Sequence, residues 1–151
     1  GKFLVSYAAK RHYTVGSGES EGWLIDDYWN ESGSPKRTHV SLNHHTAEAA
    51  FLYRLADATG DESYAQTAEK MVKGIENTAA KWIMPDGDLY YSYGNNGRMI
   101  TGDYPYLTYN DLLELQRLWT KRHGAANEAV SKLMASKLAW MNKNGITGYN
   151  K

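Results

Sequence analysis

Residues 41–80 read SLNHHTAEAAFLYRLADATGDESYAQTAEKMVKGIENTAA, and the fold turns on how this stretch is parsed. Ser41 is a residue type that caps a helix start, and behind it Ala49, Leu52 and Ala56, with Phe51 and Leu55 alongside, form a broad apolar face that stops at Gly60. Asp61 caps the next segment, in which Tyr64, Ala68, Met71, Val72, Ile75 and Ala79 recur at helical spacing. Two amphipathic helices joined by the tight turn TGD make an antiparallel hairpin.

The same pattern returns downstream. YNDLLELQRLW (109–119) and NEAVSKLMASKLAWM (127–141) form a second pair, with Leu112, Leu115 and Trp119 facing Val130, Leu133, Met134 and Met141, and Gly145 as the closing cap. Between the pairs, GDLYYSYGNNGRMITGDYPY (87–106) predicts strands Leu89 to Tyr93 and Arg98 to Thr101 joined by the hairpin turn GNNG. Ahead of them stand a helix from Phe3 to about His12, a loop TVGSGESEG (14–22), a strand GWLIDDYW (22–29) and the turn-rich NESGSPKRT (30–38). The expected fold is mainly α: antiparallel helix pairs of an (α/α) toroid type, an incomplete ring, with short β-strands and a hairpin; an irregular helical bundle with a small sheet is the alternative.

The 151 residues suit one domain, read over 1–151. They start with Gly rather than Met and open in what resembles the middle of a helix, so the chain is read as a C-terminal piece of a longer protein. Seventeen basic residues balance seventeen acidic ones, which leaves no net field to draw nucleic acid or an anionic membrane. No apolar run is long enough to span a bilayer, and the lack of cysteine removes disulfides and thiolate metal sites while leaving the compartment open.

Six of the twelve tyrosines lie between Tyr90 and Tyr109, too many to read as filler alone. Taken with Asp27, Tyr28, Arg98 and Asp103, the cluster favours a sugar-facing site: a phenol offers a stacking face for a pyranose and a tunable acid or base. Asp86, Asp88 and Asp103 are the carboxylates open to a hydrolytic reading, but each sits in turn-like surroundings. Asp26 and Asp27, adjacent on a strand, point to opposite faces. His45 and Glu48 have a metal-like spacing, yet no second such pair exists, so neither metal nor cofactor is expected. Asn43 and His44, at the start of a helix that follows a polar loop, line the mouth.

Four ordered pieces resemble the C-terminal domain of D-glucuronyl C5-epimerases. They are Asp27 and Tyr28 in DDYWNESGSP, Leu42 and Asn43 in SLN, Tyr90 closing GDLY, and Tyr104 in DYPYLTYNDLLELQ. The resemblance implies an α/α helical toroid, a uronate-containing polysaccharide as partner, and Asp27, Tyr28, Tyr90 and Tyr104 as catalytic positions. It departs where the family has Glu and this chain Asp27, and where Tyr93 stands in place of an expected Arg, leaving Arg98 as the charge partner for the uronate, with His44 and His45 behind it. The family's earlier helices and β-domain have no counterpart, so a preceding domain or a second copy is expected to complete the groove. The reaction implied is inversion at C5 of a glucuronate residue. A uronate lyase, or a domain that only binds or scaffolds glycan, are the alternatives.

Overall fold

The structure, a computed structural model of the chain, describes residues 1–28, 37–94 and 96–151. Among them are five helices: α1 (Lys2–Lys10), α2 (Leu42–Thr59), α3 (Glu62–Trp82), α4 (Leu107–His123) and α5 (Glu128–Lys143). The strands are β1 (His12–Val15), β2 (Gly22–Ile25), β3 (Val40–Ser41), β4 (Tyr90–Tyr93) and β5 (Met99–Gly102). They form two antiparallel sheets, β1-β2 and β3-β4-β5. The fold is mainly helical, as the periodicity predicts.

The hairpin read from residues 41–80 is the centre of the molecule. Asp61 accepts a hydrogen bond from the Ser63 amide at 3.0 Å, capping α3, and Gly60 ends α2 in the left-handed conformation at φ 72°. Ala49, Leu52, Tyr53, Met71, Val72 and Ile75 are fully buried between the two helices and their neighbours. α4 packs against α2, α5 packs against α3 and α4, and Leu112, Leu115, Val130 and Leu133 close that side. Phe51 departs from the expected apolar face: it is 41 % exposed, because the helix presents Ala50 and Tyr53 inward instead.

Three local readings change. The N-terminal helix stops at Lys10, and residues 12–15, expected as helix end and loop, form β1. Its register pairs Tyr13 with Leu24 and Thr14 with Trp23, and His12 stacks on Trp23 with ring centroids 4.4 Å apart. The strand expected over 22–29 ends as β2 at Ile25, after which the Asp26 amide bonds to Arg11 and the Asp27 amide to His39. Ser41 stands at the N-cap of α2 but makes no capping bond, since its side chain is engaged elsewhere. Of the turn-rich 30–38, residues 30–36 lie outside the described residues, as do Trp29 at the expected strand's end and Asn95 of GNNG.

At Gly22 and Gly74 the β1-β2 ribbon meets α3 backbone to backbone. A Cβ built on Gly74 would stand 2.2 Å from the Trp23 carbonyl oxygen, and one on Gly22 would stand 2.2 Å from the Gly74 nitrogen. A glycine inside a helix ordinarily costs stability, and here the close approach accounts for it. Gly74→Ala is expected to destabilise the protein by about 3 kcal/mol, a fall in Tm on the order of 10 °C, measured by thermal and urea denaturation. Gln66→Ala, exposed on the same helix, is the control and should stay within about 0.5 kcal/mol of the parent. An unchanged Tm for Gly74→Ala would show that the ribbon does not rest there.

Candidate functional site

Asp26 and Asp27 leave the end of β2 side by side, and their carboxylates have separate partners. Asp26 takes the arginines: its Oδ1 is 3.1 Å from Arg37 Nη2 and its Oδ2 is 3.6 Å from Arg11 Nη2. Burial pushes its carboxyl up, and the two guanidiniums oppose that. Asp27 faces the start of α2. Its Oδ1 accepts the Ser41 amide at 2.8 Å, and its Oδ2 accepts the Ser41 hydroxyl in a very short bond. Two imidazoles complete the set, His39 Nε2 at 3.2 Å and His44 Nδ1 at 3.3 Å from Oδ2. The Asp27 side chain is 1 % exposed and that of His44 49 %, so a buried anion stands directly behind an accessible imidazole.

Aromatic rings border this pair in a continuous row. Tyr28 meets His39 edge-on at 5.6 Å, His39 tilts against Tyr91 at 6.0 Å, and Tyr91 meets Tyr104 edge-on at 5.6 Å. The ends of the row are open, Tyr28 at 56 % and Tyr104 at 48 % exposure. Tyr28 is held by its backbone, its amide donating to Thr38 Oγ1 and its carbonyl accepting from the Tyr7 hydroxyl. Burial raises the Tyr91 phenol, with the charges of Tyr104, Asp27 and Tyr28 adding to it and a hydrogen bond with Ser41 opposing it. Beside Tyr91 and Tyr104 opens a cleft of about 310 Å³, lined also by Gly102, Asp103 and Pro105.

Of the residues the sequence pointed to, Asp27, Tyr28, His44 and Tyr104 come to this surface. Asp103 lies beneath it, accepting from Thr108 Oγ1 at 2.6 Å; burial raises its carboxyl, while Thr108 and Lys137 oppose the shift. Asn43 is buried, and its Oδ1 has no hydrogen-bond partner among the described residues. Tyr90 is half-buried and packs against the hydrophobic core, whereas Tyr91, one position on and on the opposite face of β4, joins the row. Arg98 is exposed at the β4-β5 turn, where its backbone closes the hairpin with Gly94 and Asn96. His45 is structural: Nδ1 accepts the Ile25 amide, so Nε2 carries the proton and donates to the Met71 carbonyl at 3.0 Å. Burial lowers its pKa to about 4.

The sequence reading missed His39, Tyr91 and Asp111, took Ser41 only as a cap, and weighed Glu48 only as a partner of His45. Glu48, one helical turn after His44, is raised to about 7 by burial and then by the charge of Asp27. Asp111, in the first turns of α4, is raised to about 6 by burial and by Asp103, with His44 pulling it back. A larger cleft of about 620 Å³ lies among α3, α4 and α5, around Trp119, Asn127 and Lys132. None of the acid–base groups just described lines it, and the small cleft is therefore the better candidate despite its size.

The folded protein keeps the Glu48 proton at pH values where the unfolded chain has released it. Its contribution to stability is full below about 4.5 and is lost as pH rises through about 7. Relative to the parent, Glu48→Gln should therefore gain about 2 kcal/mol between pH 4.5 and 7, read from urea denaturation across that range. A difference that does not vary with pH would mean that Glu48 ionises as in an unfolded chain. No family model matches this sequence, and no curated protein matches it either.

Proposed function

We propose that this chain is the catalytic helical part of an enzyme acting on a uronate-containing polysaccharide, inverting C5 of a glucuronate residue. The observation that carries the reading is the buried Asp27 carboxylate touching two imidazoles at the foot of a row of four rings whose outer tyrosines are open to solvent. In this reading α2/α3 and α4/α5 are two pairs of an (α/α) toroid-type ring, and a preceding domain or second copy completes the groove.

The proton on C5 of a uronate is removable once the neighbouring carboxylate's charge is neutralised. His44, whose Nδ1 stands 3.3 Å from Asp27, is placed to meet the uronate carboxylate at the surface, a role for which Arg98, out at the hairpin tip, is poorly sited. Tyr104 and Tyr28, at the two ends of the row, serve as the phenols that take the proton from one face of the sugar and return one to the other. Asn43 and Asp103 act from behind, shaping the floor.

A second reading, elimination by a uronate lyase, is favoured by one distance. The Tyr91 and Tyr104 rings touch at 5.6 Å, so no pyranose fits between them, and acting together they reach the sugar from one side. Removal of the C5 proton followed by loss of the C4 substituent needs only one side.

In heavy water with a glucuronate polymer, epimerisation places deuterium at C5 without forming an unsaturated product; elimination yields the ultraviolet-absorbing unsaturated uronate. Tyr104→Phe should lower either rate at least about a hundredfold while leaving Tm unchanged. Undiminished turnover in that variant removes Tyr104 from the acid–base role, and binding of the polymer with neither product reduces the site to a glycan-binding surface.

A further inference from the structure

We propose that Lys137 is the positioning residue of this site, setting Tyr104 through its backbone carbonyl. The catalytic consequence rests on the glycan reading above; the structural one does not. Lys137 lies on α5, far in sequence from Tyr104 and the other groups of this site, and its side chain is 0 % exposed. Its ammonium meets three oxygens: Asp88 Oδ1 at 2.5 Å, the Tyr104 carbonyl at 2.7 Å and Asp103 Oδ2 at 3.2 Å. Two of its donors bond Asp88 and the Tyr104 carbonyl while Asp103 stands at ion-pair distance, so the ammonium ties together the two chain segments that enter and leave the β4-β5 hairpin.

Each acceptor is itself tied down. Asp88 Oδ1 also accepts the Leu89 amide at 2.7 Å, at the head of β4. Asp103 Oδ1 holds Thr108 in the first turn of α4, and the Asp103 amide donates to the Leu89 carbonyl at 3.0 Å. The ammonium also stands 4.6 Å from the centre of the Trp140 ring. Of these contacts, the one to Tyr104 goes to the main chain of a residue whose ring is half exposed. It pins the peptide just behind the ring and so fixes where the ring stands against Tyr91 and how the 310 Å³ cleft is shaped.

A role confined to stability is a weak account of this arrangement. A buried lysine between two carboxylates pays a desolvation cost that its ion pairs roughly offset, and apolar side chains of similar volume commonly do as well or better. What apolar side chains cannot do is bind a carbonyl and hold one residue's backbone in a single orientation.

The test uses 3-fluorotyrosine at position 104 alone in the full chain, with a second sample labelled at Tyr53, which is fully buried in the core. In the parent, the fluorine at position 104 should show one resonance displaced by the ring current of Tyr91. In Lys137→Met that displacement should be lost, the signal moving to the frequency of an exposed tyrosine, while the Tyr53 resonance stays in place. If the single variant does not fold, Lys137→Met with Asp88→Asn, which leaves no buried carboxylate unpaired at position 88 and keeps an oxygen for the Leu89 amide, decides the matter. A folded variant whose Tyr104 resonance matches the parent overturns the proposal.

The glycan assay is read separately. If the parent exchanges C5 hydrogen, the folded Lys137 variant should lose about tenfold in kcat with KM little changed, as expected when a catalytic group is misplaced rather than a binding group removed. Equal kcat in parent and variant counts against Lys137. Absence of exchange in the parent counts against the glycan reading and leaves the fluorine result to stand for the positioning role.

Discussion

A carboxylate removed from water must be compensated within a few ångströms, and the way Asp27 meets that demand organises this end of the protein. Its four contacts come from three places: both groups of Ser41 at the β3-α2 junction, His39 just before β3, and His44 one turn into α2. The same carboxylate therefore joins the exit of β2 to the entry of α2 and aims two imidazoles. The compensation has a local cost. Ser41 gives its hydroxyl to Asp27 rather than to the first turn of α2, whose start goes without a side-chain cap. A helix that is otherwise well determined by its apolar face tolerates this, because packing against α3 and α4 supplies most of its stability.

The helix pairs were legible because each carries its own period and its own stop signal. Gly60 and Asp61 mark a boundary that the structure places within one residue of the expectation. The short strands were less so, since β1 and β3 have four and two residues; β1 depends on β2 and on its seat on α3, and β3 pairs with β4, far along the chain. His12 to Val15 has no alternation strong enough to overcome the helical pattern before it; pairing with Gly22 to Ile25 and seating on α3 decide the matter.

The site was legible by residue type and much less by position. Asp27, Tyr28, His44 and Tyr104 stood out because acids, imidazoles and tyrosines near turns do, and the fold brings them to the candidate site. Tyr90 and Tyr91 could not be told apart, because alternation along a strand says that they face opposite ways but not which way is inward. Lys137 left a signal that went unread. It occupies the apolar face of α5, in the series Val130, Leu133, Met134, Lys137 and Met141, where a charge has no business unless opposite charges await it. Those charges, Asp88 and Asp103, arrive from chain segments more than thirty residues away, so only the fold reveals the match.

The contact between Gly22 and Gly74 bears on the same site by another route. Most interfaces between secondary elements are cushioned by side chains, which hop between rotamers and let the spacing breathe with temperature. Here main chain rests on main chain, and no rotamer exists to populate. The spacing between ribbon and helix is then set by the van der Waals contact of two backbones. Asp26 and Asp27 follow only four and five residues after Gly22, at the end of a strand that has little freedom to stretch. Their distance from the helical frame thus depends on a backbone contact, which an added methyl group at either glycine would force apart.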